Sequence, residues 1–260
     1  MSQIFGMIEQ VRDQAERVIS AAAMAALDFV YPPECLLCGD EVDSSGPAFC
    51  GKCQSKIKPR LKDECPRCGA PVGSYADLTD GCGQCRRESF AFDRVIRLGI
   101  YDGDMRQACL RAKARGGSGL SRGLAASLVN EKRSLFEQLA PDLVVPIPEH
   151  WTRRLLHSHY AAETVSREIA RQLHVRWTRT TLTKIRRTPK QATSPTPIRR
   201  RQQQGSFGIR RAADISGKSI LLVDDILTTG STANAAARTL KQSGAKQIVV
   251  AVIAVSPLRK

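Results

Sequence analysis

The chain has 260 residues, which is long enough for one sizeable hydrophobic core and one smaller module. Apolar residues make up 42% of the sequence, and no uncharged apolar run reaches the roughly 18 residues of a membrane span, which argues against an integral membrane protein. The formal net charge of +15 favours polyanionic partners, such as nucleic acid or a ligand that carries a diphosphate.

Residues 1–34 are predicted to form a helix that ends at Pro32 and Pro33. The most apolar part of this segment, residues 18–31, is alanine-rich, short and interrupted by Asp28, and residues 1–11 contain no Lys or Arg. A secretory signal needs a basic start and a longer apolar stretch, so these features argue against one. We therefore expect the protein to be cytoplasmic.

Residues 35–90 are predicted to form a small metal-binding module, because they contain four Cys-x-x-Cys pairs. The order Cys-x-x-Cys-Gly, spacer, Cys-Gly-x-Cys occurs twice, and two such knuckles can complete one tetrahedron of thiolates. The segment has too few apolar residues to fold without a metal. Two structural zinc ions are favoured over disulfides, which need an oxidising compartment, and over redox dithiols. The predicted ligands are Cys35, Cys38, Cys50, Cys53, Cys65, Cys68, Cys82 and Cys85.

The repeat favours sequential zinc sites, with the first four cysteines on one ion and the last four on the other. An interleaved cross-brace, in which the first pair joins the third, is the alternative. The ninth cysteine, Cys109, lies in an apolar neighbourhood and is expected to be a buried core thiol. Nearby basic side chains are expected to offset the negative charge of the zinc sites, namely Lys52, Lys56, Arg67, Arg86 and Arg87.

Residues 91–260 alternate between buried strands and helices, which predicts a mostly parallel sheet with right-handed crossovers. In such a sheet the ligand lies at the carboxyl ends of the strands. The expected strands are 95–101, 143–148, 180–185, 219–223 and 247–254, and the expected helices are about 104–115, 121–138, 161–173 and 233–242. A turn or helix cap is expected at Asp102-Gly103-Asp104.

Residues 219–232 combine an apolar strand, the carboxylates Asp224 and Asp225, and a hydroxyl-rich cluster before a helix. A Thr, Ser and Gly loop at a helix N-terminus presents N–H groups and hydroxyls that suit a phosphate, and Gly230 allows close approach. The carboxylates can accept hydrogen bonds from sugar hydroxyls and lie near a divalent cation. Phosphate, ribose and metal together describe a phosphoribosyl group.

Residues 223–232, Val-Asp-Asp-Ile-Leu-Thr-Thr-Gly-Ser-Thr, resemble the phosphoribosyl-diphosphate (PRPP) motif of type I phosphoribosyltransferases. With the cysteine pairs in front, about residues 30–255 resemble the ComF family, which is linked to natural transformation and DNA uptake. The resemblance implies a type I phosphoribosyltransferase-like α/β fold, in which helices flank a mostly parallel sheet. A small, cysteine-rich double zinc-ribbon module precedes this fold. It implies that Asp224 and Asp225 bind ribose and Mg²⁺, and that the 5′-phosphate lies on Thr228, Thr229, Gly230, Ser231 and Thr232.

The ComF resemblance also implies diphosphate contacts at Arg153 and Arg154, which follow the Pro146-Ile147-Pro148 segment. ComF-like chains usually continue with Arg-Gly-Phe-Asn, whereas this chain has His-Ser-His-Tyr at 157–160. Residues 176–211 contain eleven Lys or Arg and no acidic residue, and the resemblance makes the 186–205 loop, with Arg187 and Gln191, a mobile hood over PRPP. A solvated basic tract is the alternative.

These features lead to two hypotheses of function. The first is a PRPP-binding, phosphoribosyltransferase-like protein that acts in DNA uptake, natural transformation or use of external DNA, with single-stranded DNA and the uptake machinery as partners. The second is an active, Mg²⁺-dependent phosphoribosyltransferase, a glycosyltransferase that transfers phosphoribosyl from PRPP to an unidentified nitrogen nucleophile. The sequence identifies no general base and no acceptor pocket.

Overall fold

The computed structural model describes residues 32–43, 48–58, 63–149, 160–185, 205–210 and 215–256. The predicted N-terminal helix lies almost entirely outside these ranges, as do Arg153, Arg154, Arg187 and Gln191. The chain divides into two compact units, residues 1–53 and residues 54–260. Within the described ranges, no helix has the length and hydropathy that crossing a bilayer would require.

The described helices and strands follow the predicted order closely. The helices are α1 (Gly51–Ile57), α2 (Gly103–Lys113), α3 (Ser118–Glu131), α4 (Arg133–Leu139), α5 (Ala161–Leu173) and α6 (Ser231–Gln242). The strands are β1 (Arg94–Ile100), β2 (Leu143–Pro146), β3 (Leu182–Lys184), β4 (Phe207–Ile209), β5 (Ser219–Leu227) and β6 (Gln247–Val255).

Four strands form one parallel sheet in the order β1-β6-β5-β2, which confirms the predicted α/β architecture. The central strand β6 is buried along almost its whole length, as expected for a parallel strand covered on both faces. Helix α3 packs on β1 and β6, α5 packs on β2 and β5, and α6 packs on β5 and β6. The carboxyl end of β5 leads directly into α6, so the acidic and hydroxyl-rich segment lies at the edge where ligands of open α/β sheets bind.

The structure differs from the predicted elements in three places. Strand β5 continues through both aspartates to Leu227, because its backbone stays paired with β6 as far as Val255. The predicted helix over 121–138 is two helices, with a break at Lys132, whose ammonium binds Glu64 at 2.8 Å. The short strand β3 pairs antiparallel with β4, which was not predicted, and forms a hairpin separate from the parallel sheet.

Residues 65–69, which contain Cys65 and Cys68, pack directly on strand β1 of the sheet. The N–H of Val95 in β1 donates to the carbonyl of Pro66 at 2.9 Å, and the Nε of Arg97 donates to the carbonyl of Gly69 at 2.5 Å. Gly69 has a φ of +73°, and a Cβ at this position would lie 2.8 Å from Val95 Cγ1 and 3.0 Å from Val255 Cγ2. Only a glycine allows this approach.

The repeat supplies a matched pair of glycines for a stability test. Gly39 and Gly69 follow equivalent cysteines and both have positive φ, but a Cβ on Gly39 would meet no atom within 4 Å. Both substitutions by alanine add backbone strain of about 1–2 kcal/mol, and Gly69→Ala adds overpacking of about 1–3 kcal/mol. We therefore expect Gly69→Ala to lower the free energy of unfolding more than Gly39→Ala does, by urea denaturation followed through tryptophan fluorescence. Equal losses would show that Gly69 is not tightly packed.

Candidate functional site

The loop between β5 and α6 has the geometry of an anion site. Gly230 has a φ of +70° and directly precedes Ser231, the first residue of α6. The hydroxyls of Thr229 and Ser231 lie 2.9 Å apart, and the N–H of Ser231 lies 3.4 Å from the Thr229 hydroxyl. Thr228 is exposed, while Ser231 is buried. The first N–H groups of a helix have no partner within the helix, so this loop presents donors and hydroxyls together.

The two predicted carboxylates lie immediately before this loop, in the last part of β5. The N–H of Asp225 donates to Oδ1 of Asp224 at 2.9 Å. Burial, together with the negative charge of Asp225, raises the pKa of Asp224 to about 8. Burial and the neighbouring carboxylate therefore disfavour the ionised form of Asp224, although the Asp225 N–H and Lys113 partly compensate its charge.

Lys113, at the end of α2, supplies a cation to this acidic pair. Its Nζ lies 3.1 Å from Oδ2 of Asp225. Burial lowers the pKa of Lys113, but the attraction of Asp225 and Asp224 outweighs burial and raises it. Sequence reasoning missed Lys113, since nothing local connects the end of α2 with β5. One turn earlier, Cys109 is buried as predicted, and burial with the charge of Asp225 raises its pKa to about 12.

The eight paired cysteines gather into two groups of four thiols, one in each unit. Within each group the sulfur atoms all lie within 4.8 Å of one another. Individual Sγ–Sγ distances are 3.6 Å for Cys38 and Cys50, 3.7 Å for Cys65 and Cys85, and 3.6 Å for Cys68 and Cys82. Tetrahedral zinc with Zn–S bonds of about 2.3 Å requires sulfurs about 3.8 Å apart. The grouping corresponds to the sequential pairing and not to the cross-brace.

The first cysteine of each group has a lowered pKa, which favours its thiolate form. Burial raises the pKa of Cys35, but N–H groups of Cys38, Cys50 and Leu37 outweigh burial and lower it to about 6. One of these donors, the N–H of Cys50, lies 3.3 Å from the Cys35 sulfur. Burial of Cys65 is outweighed in the same way, and its pKa falls to about 7. Burial and neighbouring cysteines raise the pKa of Cys53, Cys68 and Cys85, so these ligands release their protons when zinc binds.

Arg97 gives an independent indication that the second group holds a metal–thiolate centre. Its side chain is fully buried in β1, and among the described residues Nη1 and Nη2 have no hydrogen-bond partner. Burial lowers its pKa, while Glu64 at 3.3 Å and Cys68 oppose that effect. Four thiolates around Zn²⁺ carry a net charge of −2, which compensates a buried guanidinium better than four neutral thiols do. The residues present therefore fit zinc.

Two of the predicted counter-charges, Arg67 and Arg86, make defined contacts around the second group. Arg67 donates to the carbonyls of Asp80 and Glu88 and so links the two knuckles of the second group. Arg86 pairs with Asp77 at 3.3 Å at an exposed position. Arg97 was missed, because it lies in an apolar strand outside the cysteine-rich segment.

Two parts of the chain match known domain families. Residues 26–87 match the family described as double zinc ribbon domain, and residues 159–259 match the phosphoribosyl transferase domain. These matches confirm the predicted order of a cysteine-rich zinc-binding region followed by a phosphoribosyltransferase-like α/β fold. The acidic pair and the whole β5–α6 loop lie within the second match.

Similar proteins cover most of the chain. It is 28% identical over 227 residues to the DNA utilization protein YhgH of Escherichia coli O6:H1, over 84% of this chain and 95% of that protein. It is 24% identical over 220 residues to Competence protein F of Haemophilus influenzae, over 83% of this chain and 94% of that protein. Among solved structures, adenine phosphoribosyltransferase from Saccharomyces cerevisiae is 19% identical, covers 54% of this chain and 69% of its own, and has a TM-score of 0.35.

Elemental analysis of the purified protein tests the metal assignment. We expect about two zinc ions per chain, because two complete sets of four thiols are present. Cys82→Ser is expected to reduce the content to about one, while Cys109→Ser, which removes a thiol outside both groups, keeps two. A folded protein without zinc would contradict the assignment.

The raised pKa of Asp224 predicts how stability depends on pH. Since the folded protein holds this proton more tightly than the unfolded chain, with an ordinary pKa of 3.8, ionisation costs stability progressively as the pH rises from about 4 to 8. Asp224→Asn keeps an oxygen for the Asp225 N–H and removes the charge. We expect it to raise the melting temperature at pH 8, by about 2–4 °C per kcal/mol gained, and to have little effect at pH 4.

Thermal melts in magnesium-free buffer measure this difference. Asp102→Asn is the matched control, because Asp102 is an exposed helix cap whose hydrogen bond from the Gly103 N–H an asparagine retains. A pH-independent effect of Asp224→Asn would show that Asp224 is ionised in the apo protein.

Proposed function

Because the chain joins a double zinc ribbon to a phosphoribosyl transferase domain, we propose that it is a PRPP-binding protein that acts in DNA uptake or in the use of external DNA. The observation that carries the proposal is the β5–α6 loop, where carboxylates, hydroxyls and a helix N-terminus meet at the carboxyl end of a parallel strand. The names of the two protein relatives, which refer to DNA utilization and competence, support the biological role.

In this proposal the 5′-phosphate of PRPP binds the N–H groups and hydroxyls of residues 228–232. Asp224 and Asp225 accept hydrogen bonds from the ribose hydroxyls and lie close enough to help hold Mg²⁺, which neutralises the diphosphate when bound. Lys113 pairs with Asp225 in the apo site, so the carboxylates exchange one cation for another when the ligand arrives. Arg153, Arg154, Arg187 and Gln191 remain proposed diphosphate and hood residues.

Contact with single-stranded DNA is proposed to run through phosphates. Its support is the net charge of +15 and a basic surface at the β3–β4 hairpin, where Arg179, Thr180, Thr183 and Arg210 line an open cavity of about 330 Å³. Aromatic residues are only 5% of the chain, which favours phosphate contacts over base stacking. Such binding weakens steeply as salt rises.

We also propose a cytoplasmic location. The support is the chemistry of the cysteines, since none of those described forms a disulfide and the two sets of four suit zinc, which needs thiols kept reduced.

The second candidate function is transfer of phosphoribosyl to a nitrogen nucleophile. The pairing of Asp225 with Lys113 favours it, because a lysine beside the carboxylates could neutralise charge on the departing diphosphate. A panel of purines, pyrimidines and ammonia, assayed for diphosphate release, distinguishes the candidates. Release with any acceptor supports the enzyme, and its absence together with salt-sensitive DNA retention supports the binding protein.

PRPP binding itself is tested by thermal protection. With Mg²⁺ and PRPP at about 100 times the dissociation constant, the domain should gain about 2.7 kcal/mol, or about 5–10 °C in melting temperature. We expect the shift to require Mg²⁺ and to disappear in an Asp224→Ala/Asp225→Ala variant, while Asp102→Asn keeps it. No protection of the wild type under these conditions would sink the proposal.

A further inference from the structure

Residues 89–92 connect the second zinc group to β1 and lie against the proposed phosphate loop. The rings of Phe90 and Phe92 stack with centroids 4.6 Å apart and an angle of 14° between their planes. Phe90 covers Gly230, since a Cβ on that glycine would lie 3.4 Å from the ring. Phe90 also packs against the buried cysteines and against the main core, so one side chain contacts both parts of this unit.

Asn234 attaches the same connecting segment to α6. Its Oδ1 accepts a hydrogen bond from the N–H of Ala91 at 2.6 Å, and its Nδ2 lies 3.3 Å from the carbonyl of Ser89. The N–H of Asn234 itself donates to the carbonyl of Gly230 at 2.8 Å, and this bond closes the first turn of α6. The asparagine therefore holds the connecting segment with its side chain and the phosphate loop with its backbone.

Hydrogen bonds of Glu88 connect this segment to the second zinc group. The N–H of Glu88 donates to the carbonyl of Cys85, and Arg67, between Cys65 and Cys68, donates to the carbonyl of Glu88. Cys68 and Cys85 also line a cavity of about 20 Å³, large enough for a water molecule, together with Thr228, Thr229 and Gly230. Two of the cysteines and the phosphate loop thus line one small space.

We propose that metal binding by Cys65, Cys68, Cys82 and Cys85 sets the conformation of the Thr228–Gly230 loop, and that Phe90 and Asn234 are the positioning residues that transmit it. The buried core of the second ribbon consists of these four cysteines and Ala70, with Val72 and Leu78 packed against it, so without metal the side of Phe90 that faces the ribbon loses most of its support. The inference rests on the proposed function in one respect, namely that the ligand of the loop is PRPP.

Hydrogen exchange tests the coupling without any ligand. Zinc removal by a chelator is expected to speed amide exchange in peptides that cover residues 227–242 by at least about ten-fold, because the loop and the first turn of α6 lose their support. Peptides from α5, which packs on α3, β2 and β5, serve as the internal control. Unchanged exchange at 227–242, or equal acceleration in α5, would overturn the proposal.

Calorimetry with Mg²⁺ and PRPP tests the positioning residues. Asn234→Ala should retain both zinc ions and weaken PRPP binding about three- to ten-fold, as expected for the loss of one or two hydrogen bonds. Phe90→Ala should weaken it similarly, and Phe90→Leu, which keeps an apolar cover on Gly230, should restore part of the loss. Asn130→Ala, an exposed asparagine of α3, is the matched control. Wild-type affinity in Asn234→Ala and Phe90→Ala would refute the assignment.

Variants of the two zinc groups separate this coupling from general zinc loss. Cys82→Ser and Cys38→Ser should each remove about one zinc, but only Cys82→Ser should weaken PRPP binding, because none of the contacts above involves the first group. Equal weakening by both would contradict the proposal. If the wild-type protein binds no PRPP, the proposed function fails, whereas the exchange measurement still decides whether metal and loop are coupled.

Discussion

The buried guanidinium of Arg97 is the interaction on which much of the structure depends. A charge in the first strand of a parallel sheet, without exposure to solvent, requires compensation from the residues that bury it. That compensation comes from the second ribbon, through the carbonyl of Gly69 and the carboxylate of Glu64, with the thiolate cluster nearby. The sheet and the second ribbon therefore stabilise each other, and both lie in one compact unit.

A second constraint acts at the carboxyl end of β5, where the two aspartates lie. The two adjacent carboxyl groups are only partly exposed and repel each other, which costs stability, and Lys113 relieves part of that cost. A group that destabilises the empty protein and becomes favourable beside a cation is typical of sites evolved for binding. The acidic pair is thus one reason for proposing a ligand at this site.

Local features of the sequence predicted a large part of this structure. The cysteine spacing, the acidic and hydroxyl-rich segment and the apolar strands are each contained in short stretches, so their chemistry is visible without the fold. Arg97, Lys113 and Asn234 were missed because each acts on a residue distant in sequence, and a lone basic or amide side chain carries no local signal. Strand β4 was missed because three residues in a basic, proline-containing region give no clear period.

The strand order has a consequence for how the protein is made. Within the described sheet, β1 pairs only with β6, from Arg94 opposite Val249 to Ile100 opposite Val255. The ribosome must therefore synthesise the chain as far as β6 before the first strand finds its neighbour, and such distant pairings slow folding. Until then the edge of β1 that pairs with β6 stays open on the nascent chain, where it can pair with the wrong strand.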